Sequence, residues 1–418
     1  MLTFPAPTSS DCHQIVIFRF FLSARSSRPR LQTGRAFPTC PTVRNKPARF
    51  AVFPRPLGPF DFDNAGPMET YTAAEKRNRR FLSACAGQPV DTVPVWFFRQ
   101  AGRYLPEYQA TRRRAGDFLT LCTTPELAVE VSLQPVHRLK VDAAILFSDI
   151  LLPLRAMGIP LTFTDEGPRL QPLADGRAIE DLRTLTKAAL PEVLEIVRLV
   201  RRELTGVVPL IGFSGAPFTL LTYAVEGQTG KNFLRTKKLL FSEPDLAHKL
   251  LGKLTVSLIA HLTAQVEAGA QAIQLFDSWI GILSPEDFAQ FGAPYVEQIL
   301  RALRPLGVPL LYFPLGGPGL LPQVGKLSAD VISIDFRQTL PLGKLLLQSD
   351  VGLQGNLDPH LLVGPFSLIE ARARQILEQA PTRRYIFNLG HGILPETKPE
   401  HVESLVNLVH TVGLKNNV

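Results

Sequence analysis

Cysteine is scarce: four residues in 418, with no CxxC pair among them. Cys12 and Cys40 lie near the front, which leaves Cys85 and Cys122 for the rest of the chain. A disulfide framework and a Cys-rich structural zinc site are therefore not expected. Both remaining thiols should be reduced and buried or half-buried, as suits an intracellular setting. Histidine is also thin, eight residues with no HxxxH or HxC, so a metal site would need scattered ligands and none is expected. Long apolar runs are missing too. No stretch reaches the roughly 20 residues that a membrane helix needs, so no membrane association is expected.

Acidic residues are missing locally. Residues 1–67 contain no glutamate, and eight Arg and one Lys face only Asp11, Asp61 and Asp63. This segment carries +6 of the total of +8, so the remainder is close to neutral and offers no sign of a nucleic-acid partner. Its ten prolines would break an amphipathic presequence helix. Residues 1–67 are expected to be a disordered extension, either an organellar transit peptide or a stretch upstream of a true start at Met68. The second reading has Met68 standing directly before a helical pattern over Glu69–Ala86. It goes with a cytoplasmic protein, the first with a plastid or other organelle.

What the chain does have is repetition. Short apolar runs recur at Val93–Phe98, Asp142–Phe147, Pro209–Ser214, Ala272–Asp277, Pro309–Pro314, Val331–Phe336, Gly352–Leu357 and Tyr385–Gly390. Helical patterns lie between them, among them Ala188–Glu203, Asp245–Ala268, Pro285–Leu306 and Pro365–Gln379. Near-continuous apolar strands alternating with helices predict a parallel sheet covered on both faces. Eight such units favour a closed (β/α)8 barrel over 68–418 rather than an open doubly wound sheet. The residues after the first strand, Arg99 to Arg103, offer no GxGxxG nucleotide loop. Met157–Gly176 reads as a hairpin-like excursion after the second strand.

In such a barrel the reactive groups belong just past the strand C-termini. Polar residues gather there: Arg99 and Arg103, Ser148 and Asp149, Ser214, Asp277 and Ser278, Asp335 and Arg337, Asn356 and Asp358, Asn388 and His391. If their connection is helical, Arg99 and Arg103 project together and can grip carboxylates; the plainer reading is two solvated arginines. Asp149 is a lone carboxylate in an apolar setting, either a site group or a helix N-cap. In the segment 212–227, Phe213, Phe218 and Tyr223 offer flat apolar surface to a planar ligand, or are simply core. His391, between two glycines, could donate a hydrogen bond or move a proton, although a lone histidine can equally be structural. Arg112, Arg113 and Arg114 read as a solvated face.

Three stretches carry a resemblance: PVWFFRQAGRYLPEY at 94–108, GFSGAPFTLLTYAVEG at 212–227 and NLGHGILPETKPEHV at 388–402. With FSDILLP at 147–153, QLFDSWIG at 274–281 and GNLDP at 355–359, they make residues 72–415 resemble the uroporphyrinogen decarboxylase family. Phe98 and Phe218 replace a frequent Met and Trp of the family, and LYFPLGGPGL at 311–320 follows its glycine-rich loop less faithfully. The resemblance implies a single barrel, a homodimer, and removal of carbon dioxide from the four acetate arms of uroporphyrinogen to give coproporphyrinogen, without cofactor or metal. It further implies that Asp149 stabilises a cation on the pyrrole, which then takes up the electron pair of the breaking bond. Arg99 and Arg103 would bind carboxylates of the tetrapyrrole. Tyr223, Ser278 and His391 would hydrogen-bond it, and Phe213 and Phe276 would shape the cleft. Two rivals remain: a zinc- or corrinoid-dependent methyltransferase on the same barrel, and a tetrapyrrole-binding protein without catalysis. The first would need Cys and His at strand ends, where neither Cys85 nor Cys122 falls.

Overall fold

A computed structural model describes residues 70–164, 166–173, 175–228 and 232–413. The expected extension 1–67 and the proposed start at Met68 lie outside the described residues. The helix expected from Glu69 begins instead at Ala73, because Thr72 and Glu75 form a reciprocal capping box that fixes the start.

Seven parallel strands form one curled sheet. They are β1 (Ala144–Ile145), β4 (Leu210–Gly215), β5 (Ala272–Asp277), β6 (Leu310–Pro314), β7 (Val331–Ser333), β8 (Gly352–Leu357) and β9 (Tyr385–Leu389), adjacent in that order. The missing numbers, β2 (Leu161–Thr164) and β3 (Gly167–Leu170), form the expected hairpin excursion. The eighth run closes the ring, though not as a regular strand. Val95 bridges Phe387 of β9, and its carbonyl accepts the Asp142 N–H at 2.8 Å, just ahead of β1.

The closing run is short for a physical reason. Pro94 has no N–H to give, and of the donors that follow only Trp96 N–H reaches a neighbouring strand, at the Phe387 carbonyl 3.4 Å away; the others go to side chains. Val95 N–H donates to Asp142 Oδ2 at 2.8 Å, Phe97 N–H to Gln100 Oε1, and Phe98 N–H to Asn388 Oδ1 at 3.1 Å. The helix expected over Pro285–Leu306 is likewise interrupted, into Pro285–Phe291 and Ala293–Leu303. Gly292 permits the break, since a Cβ there would sit 2.4 Å from the Phe288 ring.

Inside the barrel the side chains stack in layers. A polar layer links Trp96, Gln354, Gln274 and Ser333: Trp96 Nε1 donates to Gln354 Oε1 at 2.8 Å, and Gln354 Nε2 donates to both Gln274 Oε1 and Ser333 Oγ. Above it, towards the strand C-termini, lies an aromatic layer. Phe98 stacks on Phe313 at 4.8 Å between centroids and meets Phe276 edge-on at 5.3 Å, while Phe213 meets Phe276 at 5.8 Å.

At the opposite end a buried ionic clasp ties the ring shut. The fully buried Asp142 accepts from Arg80 at 2.7 Å, from Val95 N–H, and from His410 Nε2 at 2.7 Å. Arg80 also makes a two-pronged pair with Asp91. First helix, closing run, β1 and last helix thus meet on one carboxylate. Among the described residues, no helix is long and apolar enough to cross a membrane.

Candidate active site

Asp149 lies four residues past the end of β1. Its Oδ1 accepts the Leu151 N–H at 2.8 Å, which turns the chain into the helix Leu152–Met157. Asp149 is therefore not the helix N-cap, a position held by Leu151 without a side-chain cap bond; it closes a turn just ahead of the helix. That turn occupies one oxygen, and among the described residues the other has no hydrogen-bond partner. The side chain is only half-buried by surface, yet protein surrounds it closely. Burial pushes its carboxyl up to about 6, against the pull of the Leu151 N–H and the Arg99 charge. Behind it sits the fully buried Cys122, whose thiol is held well above its ordinary value by burial first and then by Asp149. Cys85 and Cys122 are both free and buried.

Arg99 follows Phe98 directly and takes a left-handed backbone conformation, φ 59°. The segment from Arg99 to Arg103 is a series of turns, not a helix, so the two arginines do not project as an i, i+4 pair. What places Arg99 is Gly392. A Cβ on Gly392 would lie 2.4 Å from Arg99 Cδ, so the bare backbone makes room for the arginine stem. Arg103 is exposed near Tyr108, and its carbonyl accepts the Gln109 side chain.

His391 lies within the influence of Arg99 and Arg337. Its Nδ1 accepts the Gly392 N–H at 2.7 Å, which leaves the proton of the neutral ring on Nε2. Burial first, then Arg99 and Arg337, push its pKa down to about 4. The ring is a neutral hydrogen-bond donor at physiological pH.

Other expected residues separate by strand face. Phe213 and Phe276 join the aromatic layer at the floor of the mouth. Tyr223 packs edge-on against Trp279 at 5.8 Å, and Ser278 is half-buried after β5. Phe218 is core rather than ligand surface, at 1% exposure. Asp277 alternates with Phe276 and so falls on the outer face of β5. It is fully buried, accepts from Thr219 and Tyr312, and is closed to a ligand.

One residue escaped the sequence reading. Arg114 pairs with Glu130 and Arg113 is exposed, but Arg112 is half-buried, and its Nη1 is buried without a partner among the described residues. Its guanidinium stands 6.0 Å from the Phe118 ring. In the helix Pro106–Ala115, Arg112 lies one turn beyond the buried Tyr108, and that spacing was the signal. Among the described residues, no group of three or more His, Cys, Asp or Glu could hold a metal ion.

The family model described as uroporphyrinogen decarboxylase (URO-D) matches residues 76–412. The chain belongs to the uroporphyrinogen decarboxylase family. Uroporphyrinogen decarboxylase from Syntrophotalea carbinolica is 48% identical over 332 residues, which cover 79% of this chain and 96% of the relative. The Myxococcus xanthus enzyme of that name is 46% identical over 344 residues, covering 81% and 97%. Among solved structures, a methyltransferase from Methanosarcina mazei aligns with a TM-score of 0.65 at 22% identity, covering 80% of this chain and 98% of its own. That likeness speaks to the fold alone.

Proposed function

We propose that this chain decarboxylates uroporphyrinogen, converting its four acetate arms to methyl groups and yielding coproporphyrinogen. The observation that carries the reading is Asp149: a carboxylate near the barrel mouth with one oxygen unspent, under the influence of Arg99, above a floor of aromatic rings.

Loss of carbon dioxide from an acetate arm leaves an electron pair that must go somewhere. A pyrrole protonated on the ring carbon beside the acetate-bearing one is an iminium-like cation and can accept that pair. The bond to the carboxylate then breaks, carbon dioxide departs, and an exocyclic methylene remains. The methylene takes up a proton and the ring carbon releases one, which restores the pyrrole. Each acetate thus exchanges carbon dioxide for one proton.

Asp149 accepts the pyrrole N–H groups with its unspent oxygen and balances the cation, a fixed charge aimed at charge that develops. Arg99, Arg103 and Arg112 hold carboxylates of the eight-fold anion. His391 donates from Nε2, Tyr223 and Ser278 add hydrogen bonds, and Phe213 and Phe276 lie under the ring. The chain from residue 68 onward serves as one catalytic barrel, in the homodimer that the family resemblance implies and in the cytoplasmic setting that goes with a start at Met68.

The test is anaerobic incubation with uroporphyrinogen, followed by oxidation and chromatography. Products with seven, six, five and four carboxylates are expected in succession. Recovery of only the eight-carboxylate species would overturn the reading.

A further inference from the structure

The arginines assigned so far all follow the closing run. A substrate with eight carboxylates also presents charge to the far side of the mouth, where the loops after β6 and β7 meet. Counting the closing run first, β1 is second around the ring and β7 is sixth, so their C-terminal loops face each other across the barrel. Arg337 follows β7.

Its side chain is built into place. Nη1 donates to Asp335 Oδ2 at 2.7 Å, and the Arg337 N–H donates to Oδ1 of the same carboxylate at 2.9 Å. Asp335 is itself buried and accepts the Gly316 N–H at 2.8 Å, which fixes it to the loop after β6. The guanidinium carbon stands 5.0 Å from the Phe336 ring centroid. Half of the Arg337 side chain remains exposed, and among the described residues Nε and Nη2 donate no hydrogen bond. A half-exposed ion pair adds little to stability. A guanidinium held rigid with the N–H groups of two nitrogens unspent is instead a ready grip for a carboxylate, because its ordering cost is met before the ligand arrives. The charge also reaches the site, since Arg337 is among the groups that disfavour protonation of His391.

We propose that Arg337, held by Asp335, binds a carboxylate arm of the substrate on the side of the mouth opposite Asp149. This rests on the function proposed above and adds a second anchoring point to it. Two anchors facing each other would fix the macrocycle so that one acetate at a time is presented to Asp149.

Arg337→Gln and Arg337→Lys should be compared with the parent by two anaerobic measurements: equilibrium binding of uroporphyrinogen, and its turnover. With Gln, Kd and KM should rise about tenfold, the lower range for loss of a charge-assisted hydrogen bond at a half-exposed position, while kcat stays within about twofold. With Lys, part of the loss should return. Unchanged Kd and KM in Arg337→Gln would overturn the assignment. So would a fall in kcat at unchanged Kd, which would mean that Arg337 acts through His391 instead. A parent that binds uroporphyrinogen without converting it would overturn the proposed function, while the Kd ratio would still decide the role of Arg337.

Discussion

Replacing Asp149 by Asn should cost the protein its chemistry and increase its stability. Burial raises the Asp149 carboxyl from 3.8 to about 6. At about 1.4 kcal/mol per pH unit, that gap is about 3 kcal/mol of strain on the ionised native state, an upper figure for a half-buried group. Since the folded value lies above the unfolded one, the native state binds the proton more tightly. The charge therefore weakens the fold fully above pH ~6, progressively less as pH falls, and not at all below about 3.8. Asparagine keeps an oxygen for the Leu151 N–H but carries no charge. Urea unfolding should show Asp149→Asn more stable than the parent by about 2–3 kcal/mol at pH 8, with the gain shrinking towards zero near pH 4. Turnover of uroporphyrinogen should fall about 100- to 1,000-fold, the usual loss on removing one preorganised electrostatic group. Near-normal turnover would refute the role given to the carboxylate. A variant less stable than the parent at pH 8 would refute the burial argument.

The same carboxyl predicts an acid limb in kcat/KM with a midpoint near pH 6, absent in any residual activity of Asp149→Asn; His391, pushed down to about 4, should add no break between pH 5 and 8. A profile flat from pH 8 to 5 would contradict this. Gly392→Ala places a methyl 2.4 Å from Arg99 Cδ and must displace that arginine, so kcat/KM should drop about 100-fold while the unfolding midpoint hardly moves. Equal activity in both proteins would show that Arg99 is not held there for catalysis. Asp142→Ala leaves Arg80 with Asp91 alone and takes the buried carboxylate from His410 and Val95 N–H, and should cost about 3–5 kcal/mol in denaturant unfolding; a loss under about 1 kcal/mol would mean that the clasp adds little.

The barrel could be read from the sequence because its strands are nearly continuous apolar runs, and burial on both faces leaves that mark whatever the neighbours are. The exceptions are instructive. The closing run looks like the other strands, but Pro94 and three side-chain acceptors cut its ladder to a single bridge, and those acceptors are 3 to 290 residues away. Asp277 was expected at the rim because position along the strand was legible while the choice of face was not. Arg112 was hidden in a run of three arginines, where composition suggests solvent and only the helix period picks out the inward member. The seating of Arg99 on Gly392 joins residues from opposite ends of the barrel's sequence, and nothing local encodes it.

These exceptions share a cause, which bears on how the site is held. The closing run gives its backbone donors to Asp142 at one end and to Asn388 at the other. Arg99 comes directly after the residue bonded to Asn388, and His391 comes three residues after Asn388 itself. The bond that ends the closing run therefore also sets the separation of two site residues. A regular ladder would have left that separation to sheet geometry, with no freedom to seat an arginine stem on a glycine. Asn388 and Gly392 thus turn the seam of the barrel into one wall of the site.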